Sequence, residues 1–415
     1  MTIRVANPPI LADKRTLRSL PNIPTRFRLV GLALLSAKTG RIRFTLPDER
    51  EIVFDKQDSG PSAHIIIHNY DIAKRSMAGG DVGFAESYMD GDWSTPDLTA
   101  VLKYFGENFD SVGDGNLARG SRFVRFANML RHMFNRNSKA GSKRNIYSHY
   151  DLGNAFYGKW LDPSMTYSSA LFSTPDVSLE DAQHAKYEAI CQALELGPDK
   201  SILEIGCGWG GFAEYAASKH GARITGLTLS PSQREFTIKR MEKAGLSDKV
   251  DVRLEDYRDH QGQYDGIASI EMFEAVGEQY WPSYFSKIHA ALKPGAKAAL
   301  QIITIDDSLF ESYRKRADFI QHYIFPGGML PSETALQDQF QTANLTYEGV
   351  NYFGEDYART LRAWSKQFNE AWPDIAPLGF DETFRRMWNF YFSYCEAGFM
   401  STRINVGQFQ ISKPV

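Results

Sequence analysis

The run Leu203-Glu204-Ile205-Gly206-Cys207-Gly208-Trp209-Gly210-Gly211 carries the clearest chemistry in the chain. It follows an apolar run and opens a helical pattern over Phe212–Lys219. Glycines let the chain turn sharply and let backbone approach a ligand, while the helix N-terminus favours a polar or anionic group. Taken alone, such a loop also fits a dinucleotide site. Two neighbours argue for a different ligand. Glu204, just before the glycines, suits a ligand that carries a positive amino group. The next strand ends in Thr228-Leu229-Ser230, with no acid to hold a nicotinamide ribose.

A second chemical centre lies in Ser269-Ile270-Glu271-Met272-Phe273-Glu274. Glu274 is flanked by Met272, Phe273, Ala275 and Val276, and a carboxylate in apolar surroundings is either functional or paired. Glu271, on the same turn, is the weaker candidate of the two. His149 and His322 have the chemistry of proton carriers, but with no partner fixed by spacing each reads as a structural histidine. The aromatic run Trp388-Asn389-Phe390-Tyr391-Phe392 reads mainly as core packing. No His, Asp or Glu spacing suggests a metal.

The elements that must position these groups follow from periodicity. From about residue 184 helical and strand-like segments alternate. Strands are expected at Ser201–Ile205, Arg223–Leu227, Val250–Leu254, Gly266–Glu271 and Ala298–Ile305. Helical patterns at Ala185–Leu196, Ser232–Ala244 and Ser283–Ala291 separate or precede them. That order implies a parallel, doubly wound α/β sheet, with Leu345–Phe353 and Gly407–Ser412 available to close its edge. Glu274 then falls at the C-terminal edge of the sheet, where open α/β folds bind ligands. Residues 1–118 alternate apolar and polar positions in short runs, which reads as a small sheet with a few helices. Residues 119–145 read as a basic amphipathic helix and linker: Arg119, Arg122, Arg125 and Arg131 are interleaved with Phe123, Phe126, Leu130 and Met133, with no acid among them. Such a segment suits a membrane surface or a neighbouring helix. Residues 146–415 are the α/β domain.

Composition narrows the function classes. The 415 residues are 43% hydrophobic and 23% charged, ordinary for a globular protein of two or three domains. A net charge of -3 disfavours nucleic acid as a partner. Cys191, Cys207 and Cys395 are scattered, which fits a reducing compartment and neither a disulfide framework nor a zinc site. No run is long and apolar enough to span a bilayer. Contact with lipid would be made from the surface, aided by Arg15, Arg18, Arg26 and Arg28.

Several dispersed segments resemble the cyclopropane-fatty-acyl-phospholipid synthase family of class I S-adenosylmethionine-dependent methyltransferases. They are His149-Tyr150-Asp151-Leu152-Gly153-Asn154, Met165-Thr166-Tyr167-Ser168, the glycine loop, Gly226-Leu227-Thr228-Leu229-Ser230 with Gln233, Asp256-Tyr257-Arg258-Asp259, Met272-Phe273-Glu274-Ala275-Val276-Gly277, and Phe325-Pro326-Gly327-Gly328-Met329-Leu330-Pro331-Ser332. The resemblance implies a Rossmann-like seven-stranded methyltransferase sheet beside a smaller N-terminal α+β domain. It implies that Tyr167, Ser168, Gly206 and Gly208 hold the methionine part of S-adenosylmethionine, and Glu204 and Gly210 of the same loop are expected to bind the cofactor as well. Thr228, Leu229 and Gln233 would then contact the ribose, and Asp256 and Tyr257 the adenine. S-adenosylhomocysteine is the implied product of the donor.

The acceptor implied is a cis double bond in an unsaturated phospholipid acyl chain, closed to a cyclopropane by a protein of the cytoplasm at the inner face of the membrane. In the family, a bound bicarbonate held by a glutamate, a tyrosine, a backbone group, a cysteine and a histidine is thought to remove the last proton. Glu274, Tyr391 and Ile303 match the first three, but Ser169 and Gln301 stand in place of the cysteine and histidine. These departures put the bicarbonate site in question and open a second ending, a methyl-branched alkene. A soluble methyl acceptor, a non-catalytic lipid-binding protein and pairing into a homodimer are alternatives that the sequence leaves open.

Overall fold

A computed structural model describes residues 8–113 and 152–415. The basic segment expected over 119–145 and His149 lie outside the described residues. The described residues fall into two compact units.

The first unit contains residues 8–113 together with Arg316–Tyr323 and Phe380–Ser401. Its sheet is built from β1 (Ile10–Leu11), β2 (Arg41–Thr45), β3 (Glu51–Asp55), β4 (Ser62–Ile67) and β5 (Trp93–Ser94), in the order β1-β3-β2-β4-β5. Alternation along β4 buries Ala63, Ile65 and Ile67 and leaves the residues between them more exposed. The helix Glu382–Met400 belongs here although it lies near the end of the chain. Thr99 donates to Glu396 at 3.0 Å, and Arg386 donates to the Tyr88 carbonyl at 2.9 Å. A division of the chain near residue 146 therefore misses two segments that return to the first unit. Their placement depends on tertiary packing that no local pattern signals.

The second unit carries a seven-stranded sheet. Its strands are β6 (Ser201–Ile205), β7 (Arg223–Thr228), β8 (Val250–Leu254), β9 (Tyr264–Ile270), β10 (Leu292–Ile305), β11 (Thr346–Tyr352) and β12 (Ile404–Ser412). They run in the order β11-β12-β10-β9-β6-β7-β8. The five strands from β10 to β8 are parallel to their neighbours, and β12 and β11 close the edge antiparallel. Both faces are covered, as parallel sheets require. Ile202, Ile224, Val252 and Ala268 enter one core, while Leu203, Leu227, Ile267 and Leu300 enter the other.

β6 has β7 on one side and β9 on the other, so the order reverses beside β6. The crevice at such a reversal is where these folds bind ligands. The glycine loop leaves β6 there. Gly206 has φ +84°, and a Cβ on it would lie 2.7 Å from Met272 Cγ. Gly206→Ala should therefore cost roughly 1–2 kcal/mol from the left-handed backbone alone, before the clash is counted. A denaturant titration checks this, and unchanged stability would contradict the tight approach of the loop to Met272.

Candidate active site

The cavity at the crevice is lined from four strand ends. Glu204–Trp209 come from β6 and its loop, Leu227–Leu229 from β7, Glu255–Arg258 from beyond β8, and Ile270–Met272 from β9. Met165–Ser168 form a further wall. Of the residues assigned to S-adenosylmethionine, Tyr167, Ser168, Glu204, Gly206, Gly208, Thr228, Leu229, Gln233, Asp256 and Tyr257 all line this one cavity. Gly210 does not. It sits at φ +81° before the helix Gly211–Lys219, and its Cβ position is 2.4 Å from Thr237, so it serves close packing.

The donor set fits S-adenosylmethionine. Glu204 is 3% exposed, and its Oε2 is buried with no hydrogen-bond partner among the described residues. Burial pushes its carboxyl up to about 8, opposed by the charges of Lys186 and Arg240. A ligand ammonium would supply the missing partner. Thr228 Oγ1 donates to Gln233 Oε1 at 2.9 Å, which turns the Gln233 amide into a fixed group beside the cavity. Asp256 is not a lone acid: Arg258 binds both of its oxygens, at 2.8 and 2.5 Å, so an ion pair stands where the resemblance puts the adenine. Tyr167 is packed among Tyr157, Trp160 and Trp364, with centroids 5.3–5.6 Å away. Asn154, from an early motif, accepts from Trp209 Nε1 at 2.8 Å and anchors the glycine loop.

A polar cluster lies at the β9 side of the cavity. Glu271 immediately follows β9 at φ +48°, a left-handed backbone that costs a non-glycine residue roughly 1 kcal/mol or more. Its amide donates to the Gln301 carbonyl at 2.8 Å and so continues the sheet pairing. Its carboxylate collects three donors: the Ser169 amide at 2.8 Å and Gln301 Nε2 at 2.7 Å on Oε1, and the Tyr357 hydroxyl at 2.6 Å on Oε2. Burial raises the Glu271 carboxyl, opposed by Tyr357, Lys186, Ser169 and Gln301. Lys186 is fully buried and donates to Ser168 Oγ at 2.6 Å. Burial lowers its ammonium, and Glu271, Asp162 and Glu204 oppose that.

Glu274 sits one turn further on. Its Oε1 accepts from the Ile303 amide at 2.6 Å, and its Oε2 is buried with no partner among the described residues. Burial, then the charge of Glu271, pushes its carboxyl up to about 8. The loop Phe325–Ser332 is tied to this turn, since the Met329 amide donates to the Glu274 carbonyl at 2.8 Å.

Several expectations need adjusting. Ser169 reaches the carboxylate through its amide, because its hydroxyl donates to the Ala170 carbonyl at 3.0 Å. Tyr391 belongs to the first unit and packs on Trp388, and His322 is also in that unit. The tyrosine bonded to the cluster in the second unit is Tyr357. It is held there because the Ala170 and Phe172 amides donate to Thr360 and Asp356 on its helix, at 3.1 and 3.0 Å. Bicarbonate does not fit the described donors, since Ser169, Gln301 and Tyr357 already hold Glu271. Lys186 escaped the sequence reading. The available signal was a lysine on the helix Leu179–Ala193 at the spacing of buried Ala182, Ile190 and Cys191.

Comparisons with known proteins identify the family. The model of the mycolic acid cyclopropane synthetase family matches residues 137–409. A tuberculostearic acid methyltransferase of Mycobacterium tuberculosis is 38% identical, over 84% of this chain and 82% of the relative. A cyclopropane-fatty-acyl-phospholipid synthase of Escherichia coli is 36% identical, over 85% of this chain and 88% of the relative. The crystal structure of a mycolic acid cyclopropane synthase complexed with SAH and CTAB superposes with a TM-score of 0.61 at 30% identity, covering 65% of this chain and 98% of that one. The chain therefore belongs to the mycolic acid cyclopropane synthetase family and is an S-adenosylmethionine-dependent methyltransferase.

Proposed function

We propose that this enzyme transfers a methyl group from S-adenosylmethionine to a cis double bond of an unsaturated phospholipid acyl chain and closes it to a cyclopropane. The observation that carries this reading is the juxtaposition of two features in one family member. A cavity suited to the donor, with the orphaned Glu204 oxygen in its wall, is flanked by the carboxyls of Glu271 and Glu274 on the turn after β9.

When bound, the donor supplies an electrophilic methyl on a sulfonium, so no covalent enzyme intermediate is needed. The residues of the chain have three tasks: to hold the alkene in line, to exclude water, and to stabilise the positive charge that develops on the acyl chain. Aromatic faces around Tyr167 and the acidic turn after β9 are suited to the last task. A second ending, loss of a proton from a neighbouring chain carbon to leave a methyl-branched alkene, is supported by Ser169 and Gln301 where the family has cysteine and histidine.

Access to lipid from the cytoplasmic face of the membrane is part of the proposal. No helix among the described residues is long and apolar enough to cross a membrane. Leu11 and Leu29 are 68% and 46% exposed, and Arg15, Arg18 and Arg26 are exposed nearby in sequence. Apolar tips among basic side chains are suited to an anionic lipid surface.

Expression in cells that lack cyclopropane fatty acids, followed by mass spectrometry of the fatty acid methyl esters, tests the reaction. The expected result is an acyl species heavier by one CH2 that resists mild hydrogenation. A species that takes up hydrogen selects the branched alkene, and no new acyl species rejects olefin methylation.

Glu274→Gln should lower kcat/KM roughly a hundred- to thousandfold above about pH 8, where the carboxyl is ionised and can stabilise developing positive charge, and much less below it. It should also change how stability depends on pH. Folded Glu274 keeps its proton up to about 8, whereas the ordinary value is 4.5. Between those values the folded chain binds a proton that the unfolded chain has released, so stability falls as pH rises through the window. Thermal melts from about pH 4.5 to about pH 8 should show a shallower fall in the variant. An identical fall would contradict the buried, protonated state of Glu274.

A further inference from the structure

Every donor that reaches the Glu271 carboxylate is an N–H or an O–H: the Ser169 amide, the Gln301 amide and the Tyr357 hydroxyl. Gln301 is in turn oriented by Gln408, whose Nε2 donates to Gln301 Oε1 at 3.2 Å. Three convergent donors with the Lys186 charge behind them make a site for a planar anion. A carboxylate and a bicarbonate share the same two-oxygen edge, so the site can hold one of them at a time. In this chain the anion is covalently attached. It is also kept in place at the expense of a left-handed glutamate backbone, φ +48°. Glu271 lines the donor cavity next to Met272 and the glycine loop.

We propose that Glu271 is the enzyme's own base, which accepts the proton lost after methyl transfer, and that the reaction runs without bicarbonate. The proposal rests on the olefin reading above. In the first step the alkene electron pair forms a C–C bond to the methyl, the S–C bond breaks with its pair going to sulfur, and the other olefinic carbon becomes cationic. In the second step a C–H bond of the added methyl gives its electron pair to the ring-closing C–C bond, and its proton goes to Glu271. The same transfer from a neighbouring chain carbon gives the alkene instead. A carboxylate has about four acceptor positions, and the three donors fill three, which leaves one on Oε2 for the proton. Glu271 leaves the step as a neutral acid and returns its proton to water once product departs.

The test uses the full-length enzyme and two variants in buffer stripped of carbon dioxide, with binding of 13C-bicarbonate followed by NMR. Wild type should bind no bicarbonate and turn over equally with or without it. Glu271→Gly relieves the left-handed strain but leaves three donors without their acceptor, so a thermal melt first establishes that it folds. It should bind 13C-bicarbonate in the vacated site, lose roughly a hundredfold or more in turnover without it, and recover part of that on its addition. Glu271→Gln fills the site with a group that cannot take a proton, so it should stay inactive with or without bicarbonate. Bicarbonate binding by wild type, bicarbonate-dependent wild-type turnover, an active Glu271→Gln, or a folded Glu271→Gly that binds no bicarbonate would each overturn the assignment. If wild type methylates no acyl chain in either buffer, the olefin reading itself fails. Bicarbonate dependence of an active wild type removes only the role of Glu271.

Discussion

Three carboxyl groups withdrawn from water at the C-terminal edge of one sheet govern the construction of this site. Glu204, Glu271 and Glu274 stand at the ends of β6 and β9, the two strands that flank the reversal in strand order. Unpaired charge there is costly, so each acid needs a proton, a set of donors or a cationic ligand. The structure gives each a different answer. Glu271 has three donors, Glu274 has the Ile303 amide and a raised carboxyl, and Glu204 has an oxygen left for a ligand. Divergent environments of this kind separate the tasks of chemically identical side chains.

The surrounding fold follows from that need. Strands β6, β9 and β10 must be parallel and in register for Gln301 on β10 to stand beside Glu271 after β9, and Ile270 is paired with Gln301. β12 then brings Gln408 alongside Gln301. The helix Gly354–Glu370 delivers Tyr357 only because its Asp356 and Thr360 are bound by the 170–172 backbone. Lys186 comes from a helix in front of β6 and meets the cluster through Ser168. Residues from five separated stretches of chain thus converge on one anion.

Much of this was legible in the sequence. Period and length placed β6, β7, β8 and β11 to within a residue, because a sheet buried on both faces leaves continuous apolar runs between helical repeats, whereas β9, β10 and β12 begin two, six and three residues earlier than their apolar runs suggest. The donor cavity was legible through its glycines and through the ordered family motifs. What escaped was long-range pairing between polar side chains. Nothing local marks Tyr357, because its hydroxyl meets Glu271 only through the packing of its whole helix. Lys186 looked like any helical lysine, and its burial shows only when the face it occupies is known. Glu271 was visible as an acid on the right turn, but its partners come from Ser169, Gln301 and Tyr357, far apart in sequence. The glutamine that looked like a defect in an anion site is instead a donor to an internal anion, joined by the backbone amide of Ser169.

The measurement that tests this account most directly is calorimetric titration of S-adenosylhomocysteine into the enzyme at pH 7, in two buffers of different ionisation enthalpy. The ligand ammonium should meet Glu204, whose carboxyl is held up to about 8 while the site is empty. Binding should therefore release about one proton, and Glu204→Gln should abolish the release and weaken affinity. Equal heats in both buffers, together with unchanged affinity in Glu204→Gln, would contradict a site organised around acids that await a cationic partner.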